Sequence, residues 1–193
     1  MNLAWLHLIL FSLTALFALL EVDYRFRLLA IAVQYAILFW VVSTSLSVGL
    51  ALVKVVVGWA AIILLGAAIW NMAAGEAPQA SWSQQVFRLL SGGMVMGLAF
   101  SFQPSSAAWL PIEPLYLRAG IILAGCGILM NGFSRHPVTI ILGLLEVFSG
   151  FELIYAFLVN SVLMTGLLAL VTLGLAAVGA YLALSYRFGE SQQ

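Results

Sequence analysis

Charge is what this sequence has least of. Only 7% of its 193 residues are charged, seven basic and seven acidic. A soluble domain carries charge on about a quarter of its residues, so the composition excludes a soluble globular protein. With 64% hydrophobic residues and a mean hydropathy of +1.15, the chain is predicted to be an integral membrane protein.

Cysteine is nearly absent as well. The single Cys126, which lies in an apolar run, excludes an internal disulfide and argues against a thiolate metal site. We interpret it as a small packing residue. The equal numbers of basic and acidic residues leave no polybasic tail, so nucleic acid and anionic lipid are not indicated as partners. The N-terminus has no Lys or Arg before its apolar core, which predicts a retained first span rather than a removable signal peptide.

Catalytic motifs are also missing. The sequence has no phosphate-binding Walker motif, nucleophile elbow or metalloprotease motif. His7 lies in the first predicted span and His136 in the turn before the sixth, so they would face opposite sides of a bilayer. Such a pair does not ligate one metal ion or haem. We therefore predict no cofactor, no metal and no bond-breaking active site.

Long apolar runs dominate what is present. A run of about 17 to 25 apolar residues crosses the hydrocarbon core as a helix, which predicts an all-α polytopic protein, residues 1–193 forming one transmembrane domain. The seven predicted spans are 3–20, 28–47, 50–70, 86–102, 115–130, 138–159 and 162–186. Between the second and third, only the stretch STSLSVG at 43–49 offers a turn.

The arginines predict the orientation. Seven spans place five arginines on one side, namely Arg25, Arg27, Arg88, Arg135 and Arg187, and leave Arg118 alone on the other. Basic residues favour the cytoplasmic side. We therefore expect a multi-pass protein of a bacterial or archaeal-type inner membrane, its N-terminus outside and its C-terminus cytoplasmic. Connection 71–85 would be inside and connection 103–114 outside, with Trp82 and Trp109 at the interfaces.

Two patterns concern helix packing. The first and last three spans show a faint parallel symmetry, with the fourth joining the halves. Small residues also recur at close-packing spacings: Gly93 with Gly97, Gly120 with Ala124, and the group Gly174, Ala176, Gly179 and Ala180. These indicate close helix approach, within this chain or against another protein.

Three ionisable side chains fall inside predicted spans: Lys54, Glu146 and Glu152. Because an ionised group at the bilayer centre costs at least about 2.5 to 3.5 kcal/mol, each is a functional candidate. Lys54 and Glu152 fall at similar depth, which permits an ion pair, although Lys54 could instead snorkel to the interface. A glutamate could also remain protonated and simply bridge helices by hydrogen bonds.

Glu146 lies deeper than Glu152, by about 9 Å, and roughly 120° around the same helix. The two acids therefore do not share a face. Gly143, Ser149 and Gly150 indicate either a close helix approach or a small wet space beside Glu146. We expect Glu146 to be the protonatable acid, and Glu152, level with Lys54, to be the ionised one.

The stretch GILMNGFSRHPVTIILGLLEVFSGFELIYAFL resembles the K subunit of bacterial respiratory complex I and, more closely, component E of hydrogenase-4-type complexes. These have a helix, an Arg-Asn turn and a helix with a glutamate shortly after a glycine. Here Arg135-His136 takes the place of the turn, and Gly143 and Glu146 resemble the glycine and the acid. The resemblance covers mainly residues 125–190, and Gln34 and Lys54 are similar to component E too.

This resemblance implies a non-redox membrane-arm subunit, without cofactor, of a complex-I-like or membrane-bound hydrogenase-like assembly. Glu146, Glu152 and Lys54 would contribute to proton or cation translocation, beside antiporter-like membrane subunits. The chain departs from the pattern at Phe148-Ser149-Gly150, where component E typically has Glu-Asn-Gly, and in lacking an acid in the seventh span. Two alternatives are a stand-alone carrier of a small molecule or ion and a purely structural or assembly subunit.

Overall fold

The protein is a bundle of long helices. A computed structural model describes residues 3–45, 47–69, 81–102, 112–158 and 161–190, the side chains of the last range up to Ser185. The described part contains no strand. Its helices are α1 Leu3–Leu20, α2 Tyr24–Val42, α3 Val48–Ile69, α4 Trp82–Ser101, α5 Pro114–Phe133, α6 Pro137–Leu158 and α7 Val162–Glu190. All except α4 are long and apolar enough to cross a membrane. The predicted all-α, multi-pass membrane fold is confirmed.

The second helix is the one whose bounds differ most from the prediction. It begins at Tyr24, four residues before the expected start, because the Asp23 side chain caps it by accepting from the Arg25 amide. It ends at Val42, not at 47. The hydroxyl groups of Ser43, Thr44 and Ser45 donate to the carbonyls of Trp40, Val41 and Val42, which ends the helix within the stretch expected to turn.

Several other expectations fall outside the described residues. These are the span ends at 70 and 159, Trp109, most of connections 71–85 and 103–114, and the side chain of Arg187. Trp82 is described and is 79% exposed at the start of α4.

Helix α4 is the least apolar of the predicted spans, because polar residues fill its first turns, and it falls short of the hydropathy of a membrane span. It nevertheless runs antiparallel along α5. The contacts occur at both ends and in the middle: Phe87 with Phe133, Val95 with Gly125, and Phe100 with Arg118. Since these contacts follow nearly the whole of α5, α4 covers the same thickness as a helix that is apolar enough to span.

The two triplets of helices pack on one another in order. Helix α1 contacts α5, α2 contacts α6, and α3 contacts α7. On α2 and α6 the contacting pairs Arg27–Thr139 and Gln34–Glu146 are both 112 residues apart in the chain. The two helices are therefore parallel and in register. This pairing of counterparts agrees with the predicted symmetry.

Helices α5 and α6 approach most closely, through facing glycines. A Cβ atom at Gly127 would lie 2.6 Å from the carbonyl oxygen of Gly143, and one at Gly120 would lie 2.9 Å from that of Gly150. Of the two expectations for Gly143 and Gly150, close approach is confirmed. A Cβ atom at Gly150 would also lie 2.7 Å from Ala124 N, whereas one at Gly93 or Gly97 would meet no described atom within 4 Å.

Candidate functional site

Nine buried polar side chains lie between α2, α3, α6 and α7, and none is more than 5% exposed. We call them the polar track: Arg27, Gln34, Tyr35, Lys54, Thr139, Glu146, Ser149, Glu152 and Thr172. The four members on α6, Thr139, Glu146, Ser149 and Glu152, follow one another at intervals of seven, three and three residues. They therefore lie along one side of the helix, which turns gradually about the helix axis. The track therefore extends along most of α6.

Glu146 occupies the middle of α6 and is completely buried. Gln34 Nε2 of α2 donates a hydrogen bond to Glu146 Oε1 over 2.7 Å. The other carboxyl oxygen has no hydrogen-bond partner among the described residues. A buried ion without a counter-charge costs several kcal/mol, so this arrangement suits a carboxyl group that carries a proton.

Glu152 has an ionic partner. Lys54 Nζ of α3 lies 3.7 Å from Glu152 Oε2, and both side chains are 4% exposed. The expected ion pair is therefore formed, and the Lys54 side chain is buried inside the bundle. Thr172 of α7 also approaches Glu152 Oε1, at 3.5 Å, while donating a shorter hydrogen bond of 3.0 Å to Leu168 O.

The two acids face different neighbours, as their 120° separation predicts. Glu146 meets α2, whereas Glu152 meets α3 and α7. Ser149 lies on α6 one turn from each. Tyr35 of α2 lines the gap beside Lys54, Glu152 and Thr172, and that gap is too narrow for a water molecule.

The track begins at the arginine-rich end of the bundle. Arg27 is 3% exposed and donates to the carbonyl oxygen of Glu21 and, over 3.4 Å, to Thr139 Oγ1. Tyr24 stacks on His136 at the same end, with ring centroids 5.2 Å apart. Glu146 lies seven residues further along α6 than Thr139, about 10 Å deeper.

The opposite end carries a separate cluster. His7 Nδ1 lies 3.4 Å from the Tyr116 hydroxyl, and the His7 ring meets Trp40 edge-on with centroids 4.9 Å apart. The two histidines are thus at opposite ends, as expected. The described residues contain no group of three or more His, Cys, Asp or Glu that could hold a metal ion. Cys126 is free and buried in the core, in keeping with a packing role.

Sequence reasoning missed Arg27, Tyr35, Thr139 and Thr172. Arg27 was assigned only to a connection, because the apolar run begins after it. The matching seven-residue spacings of Arg27–Gln34 and Thr139–Glu146 were a signal that two helices could pair polar faces. Tyr35 gave no such signal, since an aromatic residue in an apolar run is ordinary.

Comparison with known proteins finds no family, curated protein or solved structure that matches this chain. The functional argument therefore depends on the geometry of the polar track.

Proposed function

We propose that this protein is a non-redox membrane-arm subunit of a complex-I-like or membrane-bound hydrogenase-like assembly, in which the polar track carries protons through the bilayer. The observation that carries the proposal is Glu146, a completely buried carboxyl group in the middle of α6 whose hydrogen-bond partner is a neutral amide. An acid at this depth faces a partner, a cavity or a proton. No cation among the described residues is hydrogen-bonded to Glu146, so this carboxyl group suits a proton.

The ends of the track support a path rather than an isolated acid. Polar side chains continue from Arg27 and Thr139 through Glu146 to the Lys54–Glu152 pair. Proton relays in membrane pumps use such chains of buried ionisable groups. The likeness of the Gly143–Glu146 stretch to component E supports this kind of assembly, with antiporter-like partner subunits and with a proton or another cation as the coupling ion; the bonding of Glu146 favours the proton. The cytoplasmic position of the arginine-rich end is part of the same proposal.

Proton flux after Glu146→Gln tests the proposal. Glutamine retains the shape and a hydrogen-bonding amide but has no titratable proton, so we expect flux in reconstituted vesicles to fall by about a hundredfold or more while the yield of the purified assembly is unchanged. A pH-sensitive dye inside the vesicles measures the flux. Glu113→Gln is the matched control, because Glu113 is exposed at the start of α5 and its side chain caps no helix amide.

One observation favours a second candidate, a purely structural subunit. The gap around Lys54 and Glu152 has no room for water, as expected of an ion pair that fixes three helices in place. If Glu146→Gln left proton flux unaltered, the path would be rejected and this structural function retained.

A further inference from the structure

We propose that Gln34 and Glu146 form a closed pair with two hydrogen bonds, in which a proton on Glu146 Oε2 is donated to Gln34 Oε1. The inference rests on the proposed function and names Gln34 as the residue that positions the transported proton. One of the two hydrogen bonds is present, since Gln34 Nε2 donates to Glu146 Oε1 over 2.7 Å. The second needs one hydrogen atom, which a protonated carboxyl group supplies.

The two atoms that the second hydrogen bond would join are both buried. Gln34 is 1% exposed and Glu146 is not exposed at all. Neither Gln34 Oε1 nor Glu146 Oε2 has a hydrogen-bond partner among the described residues. Both oxygens are acceptors when Glu146 is ionised, so they cannot then bond to each other. A proton on Glu146 Oε2 makes that atom a donor and gives both oxygens a partner at once.

The internal symmetry of the bundle points to the same hydrogen bond. Helices α5, α6 and α7 begin at 114, 137 and 162, each within two residues of 112 after the starts of α1, α2 and α3 at 3, 24 and 48. Tyr24 and His136, also 112 apart, stack on each other, as Gln34 meets Glu146. Counterparts touch in this way when a twofold axis runs between them. The approximate axis therefore runs between the parallel helices α2 and α6.

Contacts across a twofold axis are reciprocal. The amide nitrogen of Gln34 is the counterpart of Glu146 Oε2, and the two Oε1 atoms are counterparts of each other. The reciprocal of the bond from Gln34 Nε2 to Glu146 Oε1 is therefore a bond from Glu146 Oε2 to Gln34 Oε1. A carboxylate cannot donate that bond, whereas a carboxyl group can. The pair is thus symmetrical only while Glu146 carries its proton.

An amide suits this position better than a second acid. Two facing carboxylates would repel each other, whereas a glutamine leaves one titratable group beside a neutral partner. On release the O–H bond of Glu146 breaks and on uptake it forms again, while Gln34 remains a neutral amide throughout. The hydrogen bond from Gln34 Nε2 is retained in both states, so the next proton meets a carboxylate that is already oriented.

Gln34→Met tests the pair, because methionine has a similar length but makes neither hydrogen bond. Infrared spectroscopy of the purified protein detects the C=O band of a protonated carboxyl group, and its loss in Glu146→Gln assigns the band. Hydrogen bonds at both oxygens lower its wavenumber, so we expect the band to move to higher wavenumber in Gln34→Met. Gln85→Met, an exposed position on α4, should leave it unchanged.

Two infrared results would overturn the pair. One is a Glu146 band at the same wavenumber in Gln34→Met as in Gln85→Met. The other is the absence of any protonated-carboxyl band that Glu146→Gln removes. If methionine at this position prevents folding, Gln34→Asn replaces it. Asparagine keeps the amide but is one methylene group shorter, so the same move to higher wavenumber is expected and an unmoved band is again contrary to the pair.

Proton flux in vesicles separates the pair from the proposed function. In Gln34→Met we expect flux to fall by about tenfold, the effect of losing one or two hydrogen bonds. Flux equal to that of Gln85→Met overturns the positioning role of Gln34. If Glu146→Gln abolishes flux but the band does not move in Gln34→Met, the proposed function stands without the pair. If the band moves but Glu146→Gln leaves flux unaltered, the pair stands and proton transport is rejected.

Discussion

Lys54 and Glu152 come from different helices and meet at the same depth of the bundle. At 3.7 Å their contact is an ion pair rather than a short hydrogen bond, and Lys54 Nζ has no hydrogen-bond partner in the described part. Attraction between two buried charges offsets the cost of removing both from water, so each depends on the other. Removing one charge therefore differs from removing both.

Glu152→Gln should lower the yield and melting temperature of the purified protein. It leaves the Lys54 ammonium buried without its counter-charge, and breaking a buried pair in this way costs about 3 to 5 kcal/mol. The double variant Lys54→Met, Glu152→Gln removes both charges and should recover much of the loss. A double variant no better than the single one would show that Lys54 has another means of stabilisation.

At the residue scale the sequence indicates the three ionisable groups inside the spans, whereas the buried Arg27 at the end of the track and the neutral Tyr35, Thr139 and Thr172 are missed. Glu146, Glu152 and Lys54 were identifiable because an ionisable residue in an apolar run is rare. Their depth and relative angle followed from helix geometry, and the structure confirms the separate neighbours. Gln34, Tyr35 and Thr172 depend on which helices meet, which no local pattern encodes.

Among the helices, α3 approaches α2 at a glycine. A Cβ atom at Gly58 would overlap the ring of Tyr35, whereas one at Gly66, two turns further along α3, would meet no described atom within 4 Å. Glycine at 58 thus leaves room for the Tyr35 ring to pack against α3. The helix contact therefore fixes the position of Tyr35 between α2 and α3.

Gly58→Ala should displace the Tyr35 ring and reduce proton flux, with a stability loss of about 1 to 3 kcal/mol, the usual effect of overpacking a core. Gly66→Ala adds the same methyl group on the same helix in open space, so its flux and melting temperature should match the unmodified protein. Equal behaviour of the two variants would contradict the tight contact. Thermal unfolding in detergent and the vesicle assay provide the measurements.

Helix number and order followed from hydropathy, whereas helix partners did not. Lipid tails are as apolar as a protein core, so an apolar residue such as Ile63 on the surface and Leu65 in the core look alike in sequence. The glycines of α5 and α6 predicted a close helix approach, but not that these two helices would be each other's partners. The end of α2 at Val42 depends on the hydroxyl groups of Ser43, Thr44 and Ser45. A hydropathy average over a whole span does not register individual hydroxyl groups.

For the whole molecule, the number of membrane crossings depends on α4. Six helices of the described part are apolar enough to cross a membrane and α4 is not one of them, but its contacts along the length of α5 favour it as a seventh crossing. Seven crossings would place the two ends of the chain on opposite sides of the membrane, as the arginines predict. The separation of the arginines depends on this helix.

Cysteine labelling in intact cells tests this arrangement. Cysteines introduced in connection 71–85 and after residue 190 should react only with a membrane-permeant reagent, and one introduced in connection 103–114 should also react with an impermeant one. Cys126 should stay unlabelled, because it is completely buried. Labelling of 71–85 by the impermeant reagent would reverse the orientation, and labelling of both connections alike would remove α4 as a crossing.

The contacts of Arg27, Gln34 and Lys54 with α6 have a consequence for biosynthesis. Gln34 leaves the ribosome 112 residues before Glu146. At ordinary rates of translation the ribosome needs about 5 to 20 s to add that many residues. During that interval the early helices are in the membrane, or in the insertion machinery, before their polar partners exist. A chain stalled before α6 would therefore expose basic and amide groups to lipid, and quality-control proteases would have a ready signal to recognise it.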